Sequence, residues 1–186
     1  KTMGSMTGAG PAIADNNMAK RAAAYIENRV AEEAEGPVTL DELSRHCGIS
    51  PWHLQRQFKR ALGVSPRQYD DALRMQRLKH SLKRGDGVAA ATFEAGFGSS
   101  SRVYERAMTA LGMTPASYAK GGKGAEIFYA VSPCRLGRLL VAATERGLCR
   151  VELGANDNAL IEDLRDEFPE ARAIGRDDAA LGRYVE

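Results

Sequence analysis

From residue 38 to residue 62 the apolar positions fall at helical spacing, and the polar residues between them carry start and stop signals. Thr39 followed by Glu42 forms a capping box, with Val38 and Leu43 spaced for a hydrophobic staple, so a helix is expected from Leu40 to Cys47. Gly48 ends it. Ser50 caps the next helix, Pro51 suits a first position that needs no amide donor, and Gly63 closes it. Leu54, Phe58 and Leu62 recur at i, i+4 and i+8 as a buried stripe, whereas Trp52, Gln55, Arg56 and Lys59 fall on another, outward face. A longer amphipathic helix follows, capped by Ser65 with Pro66 in its first turn. It uses Tyr69, Leu73 and Leu82 as apolar contacts and runs to about Arg84, where Gly-Asp-Gly stops it.

After residue 126 the period changes from helical to alternating. Leu139, Val141 and Ala143 alternate along one expected strand, Thr-Glu-Arg-Gly makes a turn, and Cys149, Val151 and Leu153 alternate along a second. Leu160, Leu164 and Phe168 then share one face of a helix. Residues 126–186 therefore read as a small α/β unit.

The helical part contains a repeat. Leu62, Gly63, Ser65, Pro66 and Tyr69 return 49 residues later as Leu111, Gly112, Thr114, Pro115 and Tyr118. Gly48 and Gly96 are only 48 apart, so the second copy has one additional residue, most simply Gly98. Its buried positions are Val103, Ala107 and Leu111, and its outer face holds Ser101, Tyr104 and Glu105, flanked by Arg102 and Arg106.

Composition adds a class and a partner. With 186 residues and 44% hydrophobic content, the chain can bury one ordinary core or two small ones. No apolar run is long enough to span a bilayer, and the first residues lack the pattern of a secretory signal, so a cytoplasmic protein with no membrane partner is expected. Residues 1–14 open with a Gly/Ser/Thr-rich stretch and are expected to lack structure, with the fold starting near Asp15. Cys47, Cys134 and Cys149 are too scattered for a disulfide framework, and His46, Cys47 and His53 lack a fourth ligand for zinc. The net charge of +2 conceals an asymmetry: residues 45–84 carry ten basic and two acidic side chains, residues 121–186 nine basic and twelve acidic. Such a basic block suits a polyanion, although a solvated face would carry the same charges.

Helix, short turn and second helix form a helix-turn-helix, whose second helix enters the major groove of duplex DNA. Arg56 can then bind guanine through two hydrogen bonds and Gln55 can pair with adenine, while Lys59, Arg60 and His53 reach phosphates. Trp52 either packs against the preceding helix or stacks on a sugar or thymine methyl group. In the second copy Ser100, Ser101, Arg102, Glu105 and Arg106 are the candidates; Glu105 either accepts from cytosine or pairs with Arg102. A linking helix of almost twenty residues spans nearly 30 Å, close to one DNA turn, which suits a monomer on two adjacent major grooves.

Two such units, with "SPWHLQRQFKRALGVSPRQY" and "AGFGSSSRVYERAMTALGMTPASY", resemble the DNA-binding domain of the AraC family of transcription activators over about residues 18–119. "KGGKG" reads as a linker, and "IFYAVSPCRLGRLLVAATERGLCRVELG" resembles the start of a methylated-DNA:protein-cysteine methyltransferase. The combination, in this order, is similar to the Ada family of bifunctional adaptive-response proteins. The resemblance implies a multidomain α and α/β chain, with an all-α double helix-turn-helix at 15–119, a linker at 120–125, and a ribonuclease-H-like α/β subdomain of the methyltransferase, cut short, at 126–186. It also implies an activator of the alkylation response that meets RNA polymerase. The family's acceptor cysteine lies in a Pro-Cys-His-Arg motif within a later subdomain, and "SPCRLG" lacks the histidine. Cys134 is therefore expected to be a structural residue and the fragment inactive as a methyltransferase. No cofactor is expected here, since the family's zinc belongs to an N-terminal domain not contained in the sequence. The alternative is an AraC-type regulator of unrelated genes without repair activity.

Overall fold

A computed structural model describes residues 11–32, 36–97 and 107–181. The contacts divide the chain into two compact units, residues 1–74 and 75–186, with the boundary inside one long helix.

In the first unit α1 (Pro11–Ala31) lays Ala19, Ala22, Ala23, Ile26 and Val30 along one buried face. That spacing is the i, i+3, i+4 pattern of a helix packed on one side. The helix begins at Pro11, four residues inside the stretch that composition marks as unstructured. Against it pack α2 (Leu40–Cys47) and α3 (Pro51–Leu62), whose Leu43, Cys47, Leu54 and Phe58 join Met18, Ile26 and Val30 in one core. Burying Leu54 and Phe58 completely contributes roughly 1.5–3 kcal/mol each. Leu62, expected in the same stripe, is instead 40% exposed, because α3 is ending there and none of the described residues of this unit covers its last turn.

α4 (Pro66–Arg84) is 19 residues long and opens on a full capping box. Ser65 Oγ accepts from the Gln68 amide at 3.2 Å and Gln68 Oε1 accepts from the Ser65 amide at 2.9 Å.

The second unit contains the last turns of α4, α5 (Val88–Glu94), a helical stretch at 107–111, α6 (Pro115–Ala119) and a four-stranded sheet. The strands are β1 (Glu126–Cys134), β2 (Gly137–Thr144), β3 (Gly147–Gly154) and β4 (Ala173–Arg176), in the order β3-β2-β1-β4. β1 pairs antiparallel with β2 and parallel with β4; the crossover between them carries α7 (Asp157–Glu167). α7 is capped by Asn156 and places Leu160 and Leu164 on the sheet, with Phe168 just after it. α8 (Asp178–Leu181) covers part of the opposite face, where Leu181 meets Ala130 and Ala143.

Three details depart from the sequence pattern. β4 is a four-residue strand with a central glycine, too short to produce a readable alternation. Along β3, Val151 stands opposite Val141 and Leu153 opposite Leu139, but a bulge at Ala142/Ala143 inserts Cys149 as the extra residue. Cys149 is therefore turned into the core, while Val151 and Leu153 are exposed. Residues 120–125, which read as a linker, form hydrogen-bonded turns, in which the Ala125 amide donates to Gly122 O at 2.8 Å, and are tied to the segment after α7 by the Glu170 amide, which donates to Gly121 O at 2.9 Å.

Candidate nucleic-acid interface

The face of interest belongs to α3, and each turn around it is locked by a nameable interaction. Thr39 Oγ accepts from the Glu42 amide at 3.2 Å and starts α2. Gly48, at φ +71°, closes α2 in the left-handed region, where a side chain would be strained. The turn to α3 is then tied by Ser44, whose hydroxyl donates to Ile49 O at 2.6 Å. Ser50 accepts from the His53 amide at 3.4 Å, and Gly63 at φ +78° ends α3.

Behind α2 and α3 lie supports that the motif does not announce. Tyr25 on α1 donates to Glu42 at 2.8 Å, and that hydrogen bond holds the Glu42 carboxyl below its usual range. Tyr69 donates to Glu27 at 2.5 Å and sets its ring edge-on to Phe58. Asp70 and Arg74 are fully buried on α4, paired at 3.1 Å; Asp70 also accepts from the Val38 amide, and Arg74 donates to Gly36 O. A buried charge pair tolerates the interior only when its remaining donors and acceptors are satisfied, and here both partners reach the segment leading into α2. The available sequence signal was the acidic and basic pair one turn apart in an otherwise amphipathic helix.

With α3 so fixed, Trp52, His53, Gln55, Arg56, Lys59 and Arg60 are all exposed. Trp52 is 66% exposed and so is not buried against the preceding helix; its ring lies 5.3 Å from the Arg56 guanidinium carbon. Among the described residues neither Arg56 nor Lys59 meets a carboxylate, and their charges face solvent. His53 sits beside Gln57, with the two Nε2 atoms 2.7 Å apart, one turn away from Arg56. His46 stacks near Tyr25 with ring centroids 4.4 Å apart. Among the described residues no cluster of three His, Cys, Asp or Glu side chains could hold a metal.

The second-copy candidates Ser100, Ser101, Arg102, Glu105 and Arg106, with Val103 and Tyr104, lie outside the described residues. Ala107 and Leu111, the described members of the expected buried stripe, are buried.

The cysteines differ sharply. Cys134 ends β1 and is exposed in the hairpin opposite Gly137. Cys149 is buried, and burial pushes its thiol up to about 12; burial likewise raises Cys47.

Residues 43–121 match the family described as a helix-turn-helix domain, and residues 127–181 match the ribonuclease-like domain of 6-O-methylguanine DNA methyltransferase. Over 139 residues the chain is 42% identical to the bifunctional transcriptional activator/DNA repair enzyme Ada of Escherichia coli, which covers 75% of this chain and 39% of that protein. The regulatory protein ada of Salmonella typhimurium is 41% identical over 140 residues, with 75% and 40% covered. The multiple antibiotic resistance protein MarA of Escherichia coli is 35% identical over 57 residues, 31% of this chain and 45% of that one. The chain thus spans about two fifths of the two longer relatives.

Proposed function

We propose that, over its helix-turn-helix and ribonuclease-like parts, the chain is a member of the Ada family and serves as a sequence-reading DNA-binding element of an alkylation-response activator. The observation that carries the reading is the outer face of α3: a helix buried on one side through Leu54 and Phe58 presents Trp52, Gln55, Arg56, Lys59 and Arg60 on the other. Arg56 is the base reader, because a guanidinium can give two parallel hydrogen bonds to guanine. Lys59 and Arg60 are phosphate contacts, whose share of affinity falls as salt rises. Trp52, with Arg56 over its ring, offers a flat apolar surface to a sugar or a thymine methyl group.

The second copy of the repeat supplies a second reading surface through Ser100, Ser101, Arg102, Glu105 and Arg106, so one chain covers two adjacent major grooves as a monomer. Contact with RNA polymerase belongs to the same proposal.

On this reading Cys134 and Cys149 are not methyl acceptors. Attack on an alkyl carbon needs an accessible thiolate, and Cys149 is buried and protonated. Cys134 is accessible but ends β1 opposite Gly137, and Arg135 stands after it where the acceptor motif of the family has a histidine.

Selection of duplexes from a random pool, followed by footprinting of the selected site, tests the reading. The expected result is a footprint over two successive grooves with one chain bound. Failure to enrich any sequence, or binding only as a dimer on a palindrome, would contradict it.

A further inference from the structure

The two copies of the repeat meet different surroundings at matched positions. In the first, Leu62 and Val64 are exposed, and a Cβ added to Gly63 would meet nothing within 4 Å. In the second, Leu111 and Met113 are buried, and a Cβ on Gly112 would stand 2.6 Å from Gly147 O and 2.8 Å from the Leu148 carbonyl carbon. Both are backbone atoms of the β2–β3 hairpin, so the approach admits only glycine at 112. Thr144 Oγ1 donates to Gly112 O across the same junction, and a Cβ on Gly147 would come within 3.1 Å of Thr109 O.

The junction continues over α6. Tyr118 is buried edge-on against Phe168 with ring centroids 5.7 Å apart, and its hydroxyl donates to Glu167 at 2.6 Å. Glu167 also binds Lys83 at 2.8 Å and Arg150. Lys79 donates to Cys149 O at 3.3 Å, and its ammonium lies 5.7 Å from the Tyr118 ring centre. Burial works against the Glu167 charge, but hydrogen bonds from Lys83 and Tyr118 outweigh it and hold the carboxyl below its usual range. Ala107, Leu111, Met113 and Tyr118 share one continuous core with Leu140, Ala142, Leu164 and Phe168.

We infer that the α/β domain is the seat of the second helix-turn-helix half. Among the described residues, 107–119 share one core with the sheet and with the end of α4 and α5, and have none separate from it; the β2–β3 hairpin with Glu167 fixes where this described part of the half stands. The ribonuclease-like domain thereby serves DNA reading as a positioning part. The structural claim stands on the contacts above; its consequence for DNA rests on the function proposed in the preceding subsection.

The test uses the full chain with two variants, Glu167→Gln, which keeps the side-chain shape, and Gly147→Ala, which crowds the hairpin. Amide hydrogen exchange and the footprint on a selected duplex are read together. Expected are at least tenfold faster exchange at residues 107–111 and 115–119, unchanged protection at Leu43, Leu54 and Phe58, and a footprint shortened to the half-site read by α3. Unchanged exchange at 107–111 in a Glu167→Gln chain that has loosened at α7 would overturn the seating. Full-length protection of DNA despite faster exchange would overturn the positioning role. Should no duplex be bound at all, the DNA-reading proposal fails while the exchange result still decides the seating. If Gly147→Ala does not fold, Glu167→Gln alone decides.

Discussion

Two copies of one sequence frame close alike at their Leu-Gly segments and do so in opposite circumstances. Leu62-Gly63-Val64 and Leu111-Gly112-Met113 each close a helix with a glycine in the left-handed region, at φ +78° and +64°. The first faces water. The second is pressed on a β-hairpin. Their tyrosines diverge in the same way: Tyr69 donates to Glu27 on α1, at an exposed site, and Tyr118 donates to the half-buried Glu167 on α7. Local chemistry sets the turn and the hydroxyl's need for a carboxylate, but the partner each copy finds is set by what the rest of the chain brings alongside. A first copy that rests on its own helices can turn its basic face outward; a second copy that rests on a sheet gives up surface to that sheet.

The strongest way to break this contrast is to add one methyl group at each glycine. Gly63→Ala meets only the penalty of the left-handed backbone, about 1–2 kcal/mol. Gly112→Ala adds a clash with fixed backbone and should cost at least about 4 kcal/mol, in the range reserved for substitutions that force a core apart. Urea unfolding of both variants measures the difference. Equal losses would mean that the hairpin yields freely and the second copy is no more confined than the first.

Next in size is the support of the first copy. Asp70→Asn removes the charge paired at 3.1 Å with the buried Arg74 guanidinium and should destabilise residues 11–74 by about 3 kcal/mol. Thiol labelling separates the two units. Cys47 should become reactive at lower urea in Asp70→Asn, Cys149 should become reactive at lower urea in Gly112→Ala, and exposed Cys134 should react at once in every chain. Simultaneous exposure of Cys47 and Cys149 in both variants would show a single cooperative unit.

Acid provides a smaller effect. The Glu167 carboxyl is held below the ordinary value of 4.5 in the folded chain, so its contribution is complete above that pH and disappears as pH falls through the lower folded value. The wild-type chain should therefore lose protection around Tyr118 and Cys149 below about pH 4.5, and Glu167→Gln should lack that part of the pH dependence while being less stable at neutral pH. A pH profile identical in both chains would remove Glu167 from the junction's energetics.

Most of the first copy was legible because its signals are local. Thr39, Gly48, Ser50, Pro51 and Gly63 act within one turn of themselves, and Leu54 and Phe58 follow the period of their own helix. What escaped depends on partners distant in sequence. The burial of Asp70 with Arg74 needs residues 36–38 to be folded against α4, and the exposure of Leu62 needs knowledge that no described element covers it. The same holds for the sheet: Cys149 alternates with Val151 in sequence, and only the bulge opposite Ala142/Ala143 turns it inward. The candidate residues of α3 were readable from helical spacing alone, whereas the close approach of Gly112 to Gly147 has no trace in either local sequence.

The most direct test of DNA reading by α3 compares Arg56→Ala and Lys59→Ala on a selected duplex and a scrambled one across a series of salt concentrations. Arg56→Ala should weaken the selected duplex by about 1–3 kcal/mol and barely affect the scrambled one. Lys59→Ala should weaken both alike and reduce the salt slope by about one. Wild-type affinity in both variants, with no dependence on salt, would show that the exposed face of α3 does not read DNA.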